Sequence, residues 1–214
     1  SDLEGLKWDI NKNEKLLKAN QIVLESLNND IYNDSLKIEN FVSLEEIRDA
    51  FRVQQCQSKQ WLLNNIVSSS INLNSKILVI GSWLGFTSYC LHELGFINVS
   101  ETDLDPKYQM LSEIINNQFK NFKHYSEDIN NISVDEYDVI ICTSCEHIED
   151  NTWFDRVKPK AKLFLQSTNL VLPDHTNIVT SAEEFSEKYP LNLSYMGTMV
   201  YHQSFFRYMI IGEK

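Results

Sequence analysis

The feature that most constrains this chain is an alternation of short apolar segments with helical segments, which begins near residue 76. The segment at 76–80 is rich in β-branched residues and ends at Gly81, a pattern typical of a buried parallel strand. Further strand-like segments lie at 98–102, 122–125, 137–142 and 162–166, and helical ones at 87–94 and 106–119. This alternation predicts an α/β fold with a Rossmann-like, doubly wound and mostly parallel sheet.

The end of the chain departs from the alternation. The residues Ser181-Ala182-Glu183-Glu184 form a capping box that opens a short helix, which stops at Pro190. Two long β-like segments follow at 191–201 and 204–211, with no helix between them. Because parallel neighbours need a crossover connection, this last pair is predicted to be antiparallel.

Residues 1–70 have the pattern of a helical N-terminal cap, ahead of a main domain at 71–214. Apolar residues recur at spacings near three and four from Leu3 to Leu27, which indicates an amphipathic helix. A capping box formed by Ser43 and Glu46 opens a second helical stretch, with a break expected near Gln54. The sequence leaves open whether these helices form a lid, a homodimer interface or both.

Composition narrows the classes of partner. The chain has 30 acidic and 19 basic residues and a net charge of −11, which argues against binding nucleic acids or anionic membranes. It contains no run of 18 apolar residues and does not begin with a signal peptide. Four cysteines are too few for a disulfide scaffold of this length. We therefore expect a cytoplasmic protein with reduced thiols.

The turn after the first predicted strand is the leading candidate for a ligand site. In an open α/β sheet, ligands bind at the carboxyl ends of the strands, at the switch point of the topology. Gly81 allows a positive φ and a close approach of a ligand to the backbone. Asp103 ends the second strand about 20 residues later, where an acidic side chain can accept hydrogen bonds from ribose hydroxyls. Since Asp105 and Pro106 already provide a helix start, Asp103 is expected to be free for a nucleotide ligand.

Residues 76–142 carry motifs that resemble those of class I S-adenosylmethionine-dependent methyltransferases. The stretch from Ile77 to Gly85 resembles their glycine-rich first motif, and the stretch from Val99 to Pro106 their acidic second motif. The segment 126–129 is similar to their adenine-contacting segment, and 145–148 to a Glu-His turn that many members carry. The resemblance extends over about residues 55–214 and implies S-adenosylmethionine as cofactor. It also suits the reversed last strand, which separates this fold from NAD-binding relatives.

The resemblance implies roles for individual residues. Asp103 would hold the ribose and Asp128 the adenine amino group, while Glu146 and His147 would meet the acceptor. His147 could serve as a base if the acceptor is a hydroxyl or an ammonium group, and the alternative is an exposed histidine that only holds the loop. The residues that we assign to the cofactor are Lys59, Gly81, Ser82, Trp83, Gly85, Asp103, Leu104, Asp128, Ile129 and Thr143.

Two positions depart from the family pattern. Val79 stands where an acidic residue is usual, and Trp83 replaces the middle glycine of the loop. The Trp83 ring either crowds the amino-acid end of the cofactor or forms a wall of its pocket. With Val79 unable to serve as an anchor, Lys59 is a candidate partner for the methionine carboxylate, and a solvated surface lysine is the alternative.

The pair Cys142 and Cys145 invites a metal or redox interpretation, which we do not favour. A structural zinc site needs four ligands, commonly from two such pairs, and only one pair occurs here. His147 could add a third ligand, but no fourth is evident. A thioredoxin-like pair would open a helix after an early strand rather than end a strand in mid-sheet. No metal site is therefore predicted.

The acceptor is expected at the ends of the later strands, at residues Asn169, His175, Tyr201 and His202. The predicted function is transfer of a methyl group from S-adenosylmethionine to a small-molecule acceptor. Two alternatives stay open: another reaction of the same cofactor, such as aminopropyl transfer or cofactor breakdown, and a binding module without catalysis. An NAD-dependent enzyme is disfavoured because the G-x-G-x-x-G spacing is absent.

Overall fold

The computed structural model describes residues 42–214, which form a seven-stranded sheet with helices on both faces. The order across the sheet is β3-β2-β1-β4-β5-β7-β6. The strands are β1 (Ile77–Ile80), β2 (Val99–Thr102), β3 (Lys123–Tyr125), β4 (Val139–Cys142), β5 (Lys162–Thr168), β6 (Asn192–His202) and β7 (Phe205–Glu213). The helices are α1 (Leu44–Ala50), α2 (Val53–Ser68), α3 (Phe86–Glu93), α4 (Lys107–Asn116), α5 (Thr152–Asp155) and α6 (Ala182–Lys188).

The first five strands pair in parallel, as the alternation predicts. β1 is buried along its whole length and lies between β2 and β4. The chain order therefore reverses beside β1, and the switch point of the topology falls between β1 and β4. This geometry explains the continuous apolar run at β1, since both of its faces are covered by helices.

The last two strands form an antiparallel hairpin, and the prediction for the chain terminus is confirmed. β7 pairs antiparallel with β5 and with β6, so the final strand enters the sheet in reverse. Gln203 takes a positive φ of 48° in the tight connection between them. The reversal brings the beginning of β7 beside the end of β5, where Thr168 lies opposite Arg207.

The core consists of apolar layers on the two faces of the sheet. On one face, Leu62, Leu63 and Ile66 of α2 pack with Val79 of β1 and Phe164 of β5. On the other face, α5 and α6 pack against the alternate side chains of the same strands. Successive strand residues point to opposite faces, so each central strand supplies both layers.

The N-terminal helices differ in detail from the prediction. Ser43 caps α1 by accepting a hydrogen bond from the Glu46 amide at 3.1 Å, but the Glu46 carboxylate does not close a reciprocal box. It accepts instead from the Trp83 indole at 3.2 Å and from Lys107 Nζ at 3.2 Å. The break between α1 and α2 falls at Phe51 and Arg52 rather than at Gln54.

Two further predictions concern the residue ranges of helices. α4 ends at Asn116, three residues before the predicted end. The predicted helix between Leu3 and Leu27 lies outside the described residues. Within residues 42–214, no helix combines the length and the apolar composition that crossing a bilayer requires.

Candidate functional site

A large cavity opens at the carboxyl edge of the parallel strands, on both sides of the switch point between β1 and β4. Its volume is about 1430 Å³, and its lining comes from the loops after β1, β2, β3, β4 and β5 together with α1 and α2. Typical small-molecule sites have volumes of roughly 300–1,000 Å³. The cavity therefore has room for a nucleotide-sized ligand and a second small molecule.

The turn from β1 into α3 depends on its two glycines. Gly81 and Gly85 take φ values of 67° and 83°, in the left-handed region that glycine enters without strain. A Cβ on Gly81 would lie 2.2 Å from Ser144 Oγ, and one on Gly85 would lie 2.2 Å from Ser112 Oγ. Gly81 lines the cavity, whereas Gly85 begins α3 and packs against α4. Gly81 thus leaves space on the cavity side of the turn, and Gly85 leaves space on the side that packs against α4.

Trp83 also takes a positive φ, of 50°, between the two glycines. Its ring packs beside an apolar cluster that includes Ile47 of α1 and Leu84. Its indole N–H donates to Glu46 at 3.2 Å. The ring is thereby held toward α1 and lines the cavity. Of the two alternatives for Trp83, this arrangement corresponds to a wall of the pocket.

Asp103 lies on the cavity surface at the end of β2, but it is not free of local bonds. Its carboxylate accepts from the Trp83 amide at 2.9 Å and from the Asp105 amide at 3.0 Å. Asp105 does accept from the Lys107 amide at the start of α4, at 3.0 Å, although Pro106 is the residue that immediately precedes the helix. The expectation that this leaves Asp103 free was wrong. Each carboxylate oxygen keeps capacity for another hydrogen bond. Burial is the main influence on this group and raises the pKa of Asp103, against the two amide bonds that lower it.

The other predicted adenine-side residues reach the same cavity. Leu104, Asp128 and Ile129 all line it. Asp128 precedes a single 3₁₀ turn and accepts from the Asn130 amide at 2.9 Å, while Ile129 is buried and Leu104 is exposed. The arrangement offers one carboxylate and two apolar side chains to a flat ring.

Lys59 reaches the cavity from α2. It is half-buried, and its Nζ lies 6.0 Å from the centre of the Trp83 ring. Burial lowers the pKa of Lys59, with a smaller contribution in the same direction from the Arg207 charge. A desolvated ammonium group of this kind gains from an anionic ligand, so the location suits a carboxylate.

A buried ion pair, which the sequence did not predict, forms the floor of the cavity. Arg207 Nη1 donates to Glu146 Oε1 at 2.9 Å, with the two side chains 12% and 5% exposed. The same guanidinium donates to the Thr143 carbonyl and, at 3.4 Å, to Gln166 Oε1. Arg207 is thus held by the loop after β4 and by β5.

Two histidines lie beside this ion pair at the cavity rim. The His147 and His175 rings are 4.6 Å apart between centroids and nearly perpendicular. His147 Nδ1 lies 3.1 Å from the Asp174 carbonyl oxygen, and His175 Nδ1 lies 2.6 Å from that of Leu170. His147 Nε2 lies 3.9 Å from Glu146 Oε1, beyond hydrogen-bond distance.

The structure brings most of the predicted residues together. Ser82, Thr143, Glu146, His147, His175 and Tyr201 line the cavity. Asn169 and His202 are not part of the cavity lining. Asn169 instead bonds the Phe206 amide and the Ser204 carbonyl, which fixes the β6–β7 hairpin to the end of β5. His202 is exposed at the end of β6.

The two cysteines at the end of β4 belong to the core. Cys142 and Cys145 are buried within the apolar cluster that also contains Trp153. Burial raises the pKa of the Cys145 thiol, which disfavours the reactive thiolate. Their surroundings are those of packing residues.

Comparison with known proteins finds no matching family model and no matching curated protein. Solved structures do match. The N-methyltransferase NodS of Bradyrhizobium japonicum WM9, in complex with S-adenosylhomocysteine, superposes with a TM-score of 0.63 at 14% identity, over 81% of this chain and 95% of that one. Magnesium protoporphyrin IX methyltransferase of Synechocystis PCC 6803, with bound S-adenosylmethionine, gives 0.60 at 14% identity, over 92% and 97%. The 1,6-didemethyltoxoflavin-N1-methyltransferase of Burkholderia thailandensis gives 0.57 at 12%, over 77% and 80%.

Proposed function

This chain has the fold of class I S-adenosylmethionine-dependent methyltransferases, and we propose that it transfers a methyl group from S-adenosylmethionine to a small-molecule acceptor. One observation carries the proposal. The cavity at the switch point is lined by the Gly81 turn, by the carboxylates of Asp103 and Asp128, and by the Glu146–His147 turn. The sequence motifs assigned these same segments to the cofactor and the acceptor.

The residues present fit such a cofactor. A side chain at Gly81 would close the space beside Ser144, so the turn leaves a cradle at the end of β1. The Ser82 hydroxyl is buried without a partner among the described residues, and a buried hydroxyl of this kind gains from a ligand hydrogen bond. Asp103, which bonds the Trp83 amide of the same turn, keeps acceptor capacity.

Each part of the cavity would hold a different part of the cofactor. Asp103 would accept hydrogen bonds from ribose hydroxyls, and Asp128 would accept from the adenine amino group beside Ile129. Lys59 would pair with the methionine carboxylate, because it is a half-buried cation next to the Trp83 wall. When bound, the cofactor supplies an activated methyl group on a sulfonium sulfur.

The acceptor would bind toward the Glu146–His147 turn, His175 and Tyr201. Methyl transfer by in-line displacement depends mainly on alignment of acceptor and methyl group. A base is needed only where the acceptor must lose a proton. His147 has the atom for that task, since its Nδ1 lies 3.1 Å from the Asp174 carbonyl oxygen and its Nε2 is the nitrogen left to accept a proton. The Arg207 side chain holds Glu146 in place from below.

Product analysis separates this function from its alternatives. The protein would be incubated with methyl-labelled S-adenosylmethionine and pools of small hydroxyl- and amine-bearing compounds, and the products separated by chromatography. Methyl transfer predicts formation of S-adenosylhomocysteine that depends on one acceptor pool. Release of methylthioadenosine would instead indicate aminopropyl transfer or cofactor breakdown. An unchanged cofactor with every pool, together with no binding of S-adenosylmethionine by the folded chain, would favour the binding module.

A further inference from the structure

We propose that Glu146, His147 and His175 bind a divalent transition-metal ion at the rim of the cavity. One ligand atom from each of the three side chains falls within 4.8 Å of the other two. Glu146 and His147 come from the 3₁₀ turn after β4, and His175 from the loop after β5. The sequence predicts no metal site, because the two histidines are brought together only by the neighbouring positions of β4 and β5.

Hydrogen bonds to backbone carbonyls orient both imidazoles for this role. His147 Nδ1 faces the Asp174 carbonyl at 3.1 Å, and His175 Nδ1 faces the Leu170 carbonyl at 2.6 Å. Because a carbonyl oxygen only accepts, each Nδ1 carries the hydrogen and each Nε2 keeps its lone pair. Metal-bound histidines characteristically donate their second N–H in this way, which fixes the tautomer and the ring.

Glu146 provides independent evidence for a missing partner. The residue is only 4% exposed. Its Oε1 accepts from Arg207 at 2.9 Å, while its Oε2 is buried with no hydrogen-bond partner among the described residues. Leaving a buried carboxylate oxygen unpaired is costly. A cation shared with the two Nε2 atoms would satisfy that oxygen.

The donor set indicates the class of metal. Two imidazoles and one carboxylate are typical of catalytic Zn²⁺ sites and of mononuclear Fe²⁺ sites, and both kinds leave positions open for water or substrate. At zinc–ligand distances of about 2.1 Å, tetrahedral donors lie about 3.4 Å apart. Binding would therefore draw the donor atoms that lie farthest apart together by up to about 1.4 Å.

The charges around the cluster favour a cation over an anion. Arg207 offsets the single charge of Glu146. The exposed carboxylates of Glu149, Asp150 and Asp174 line the same cavity and add negative potential. The Asp174 carboxylate lies 3.4 Å from His147 Nδ1, where it supports the proton on that nitrogen.

The consequence for the reaction rests on the proposed methyl transfer. A cation on the open side of this cluster would hold an acceptor hydroxyl and favour loss of its proton. The O–H bond breaks, its electron pair stays on the oxygen, and the proton passes to water. His147 would then act as a ligand rather than as a base, since its Nε2 lone pair cannot do both.

Metal binding can be tested without the cofactor. The full chain would be freed of metal with a chelator and titrated with Zn²⁺ in competition with a chromophoric chelator. A separate metal-free sample would be titrated with Co²⁺ to follow nitrogen ligation by visible absorption. The proposal predicts one Zn²⁺ per chain and a d–d spectrum with imidazole character. His147→Gln and His175→Gln should each weaken Zn²⁺ binding at least 10-fold, and His202→Gln, on the exposed end of β6, should leave it unchanged.

Two results would overturn the proposal. One is the absence of stoichiometric Zn²⁺ binding by the folded wild-type chain. The other is equal binding by both histidine variants and the wild type, which would place the ion elsewhere, for example on cysteines. His175→Gln leaves the Glu146–Arg207 ion pair intact, so a loss of binding there cannot be ascribed to a lost buried charge pair. Because the titration contains no S-adenosylmethionine, its outcome is independent of whether the chain transfers methyl groups.

Discussion

Replacement of Asp103 by alanine tests the proposed ribose site most sharply. The carboxylate lies at the end of β2 and accepts two backbone hydrogen bonds, from Trp83 at 2.9 Å and from Asp105 at 3.0 Å. Asp103→Ala removes these acceptors together with the capacity to accept from a ribose. The variant should therefore lose affinity for S-adenosylhomocysteine and some stability at once.

The two losses have different sizes. Hydrogen bonds to charged groups contribute about 1.5–3 kcal/mol, and the ligand effect is reduced because burial already penalises this carboxylate, as its raised pKa shows. We expect a net loss of about 1–3 kcal/mol in binding, roughly a 5- to 150-fold rise in Kd. The two freed amides lie near solvent, so the free energy of unfolding should fall by about 1 kcal/mol.

Asp138→Ala is the matched control. Asp138 accepts from the Lys76 amide at 2.8 Å and from Lys158 Nζ at 2.6 Å. It precedes β4 and so lies at the amino ends of the parallel strands, whereas the cavity opens at their carboxyl ends. Both variants would be titrated calorimetrically with S-adenosylhomocysteine and unfolded in urea without ligand. The reasoning predicts similar losses of stability and a weaker Kd only for Asp103→Ala. An unchanged Kd in that variant would refute the assignment of the ribose to this carboxylate.

Three further substitutions test the turn and the helices around it. Gly85→Ala should lower the free energy of unfolding by about 1–3 kcal/mol, because φ is 83° and the new Cβ would lie 2.2 Å from Ser112 Oγ; wild-type stability in urea would contradict this. Burial holds the pKa of His92 at about 4, below its ordinary 6.5, so stability is lost as the pH falls from 6.5 toward 4. Between pH 7 and pH 5, the free energy of unfolding should fall by about 2 kcal/mol less in His92→Gln than in the wild type. Identical urea midpoints in the variant and the wild type at both pH values would argue against this. Trp83→Phe removes the indole bond to Glu46 and should raise the Kd for S-adenosylhomocysteine several-fold; tighter binding would mean that the ring crowds the ligand.

The sheet could be predicted because its determinants are local. β1, β4 and β5 contain apolar runs bounded by turn residues, and the missing helix between the last two strands required an antiparallel pair. β2 and β3 are more polar, and their places followed from the alternation with helices. The position of Asp103 was predictable for a related reason. One strand, one turn and one helix separate it from Gly81, so the chain length alone brings both to the same edge of the sheet.

The floor of the cavity could not be predicted in this way. Glu146 and Arg207 meet because β7 inserts beside β5 in reverse and places Arg207 opposite Thr168. His147 and His175 meet through two loops that are joined by a tertiary contact between His147 Nδ1 and the Asp174 carbonyl oxygen. The sequence spacing of Glu146 and Arg207, or of His147 and His175, does not indicate that these side chains meet.

Tertiary contacts also replaced a hydrogen bond that a local motif predicts. The Ser43–Glu46 pattern did cap α1, but the carboxylate of Glu46 bonds the Trp83 indole and Lys107 rather than the Ser43 amide. A carboxylate gains more from an indole N–H and an ammonium group than from one exposed amide. The capping pattern therefore predicted where α1 begins, but it did not predict which groups the Glu46 carboxylate binds.

Calorimetric titration of the wild-type protein with S-adenosylhomocysteine tests the central claim most directly. We expect saturable binding of one ligand per chain with a Kd in the micromolar range, and competition by S-adenosylmethionine for the same site. No binding heat for either compound, with a protein shown to be folded by its cooperative unfolding in urea, would contradict it. The resemblance to methyltransferases would then be one of architecture alone.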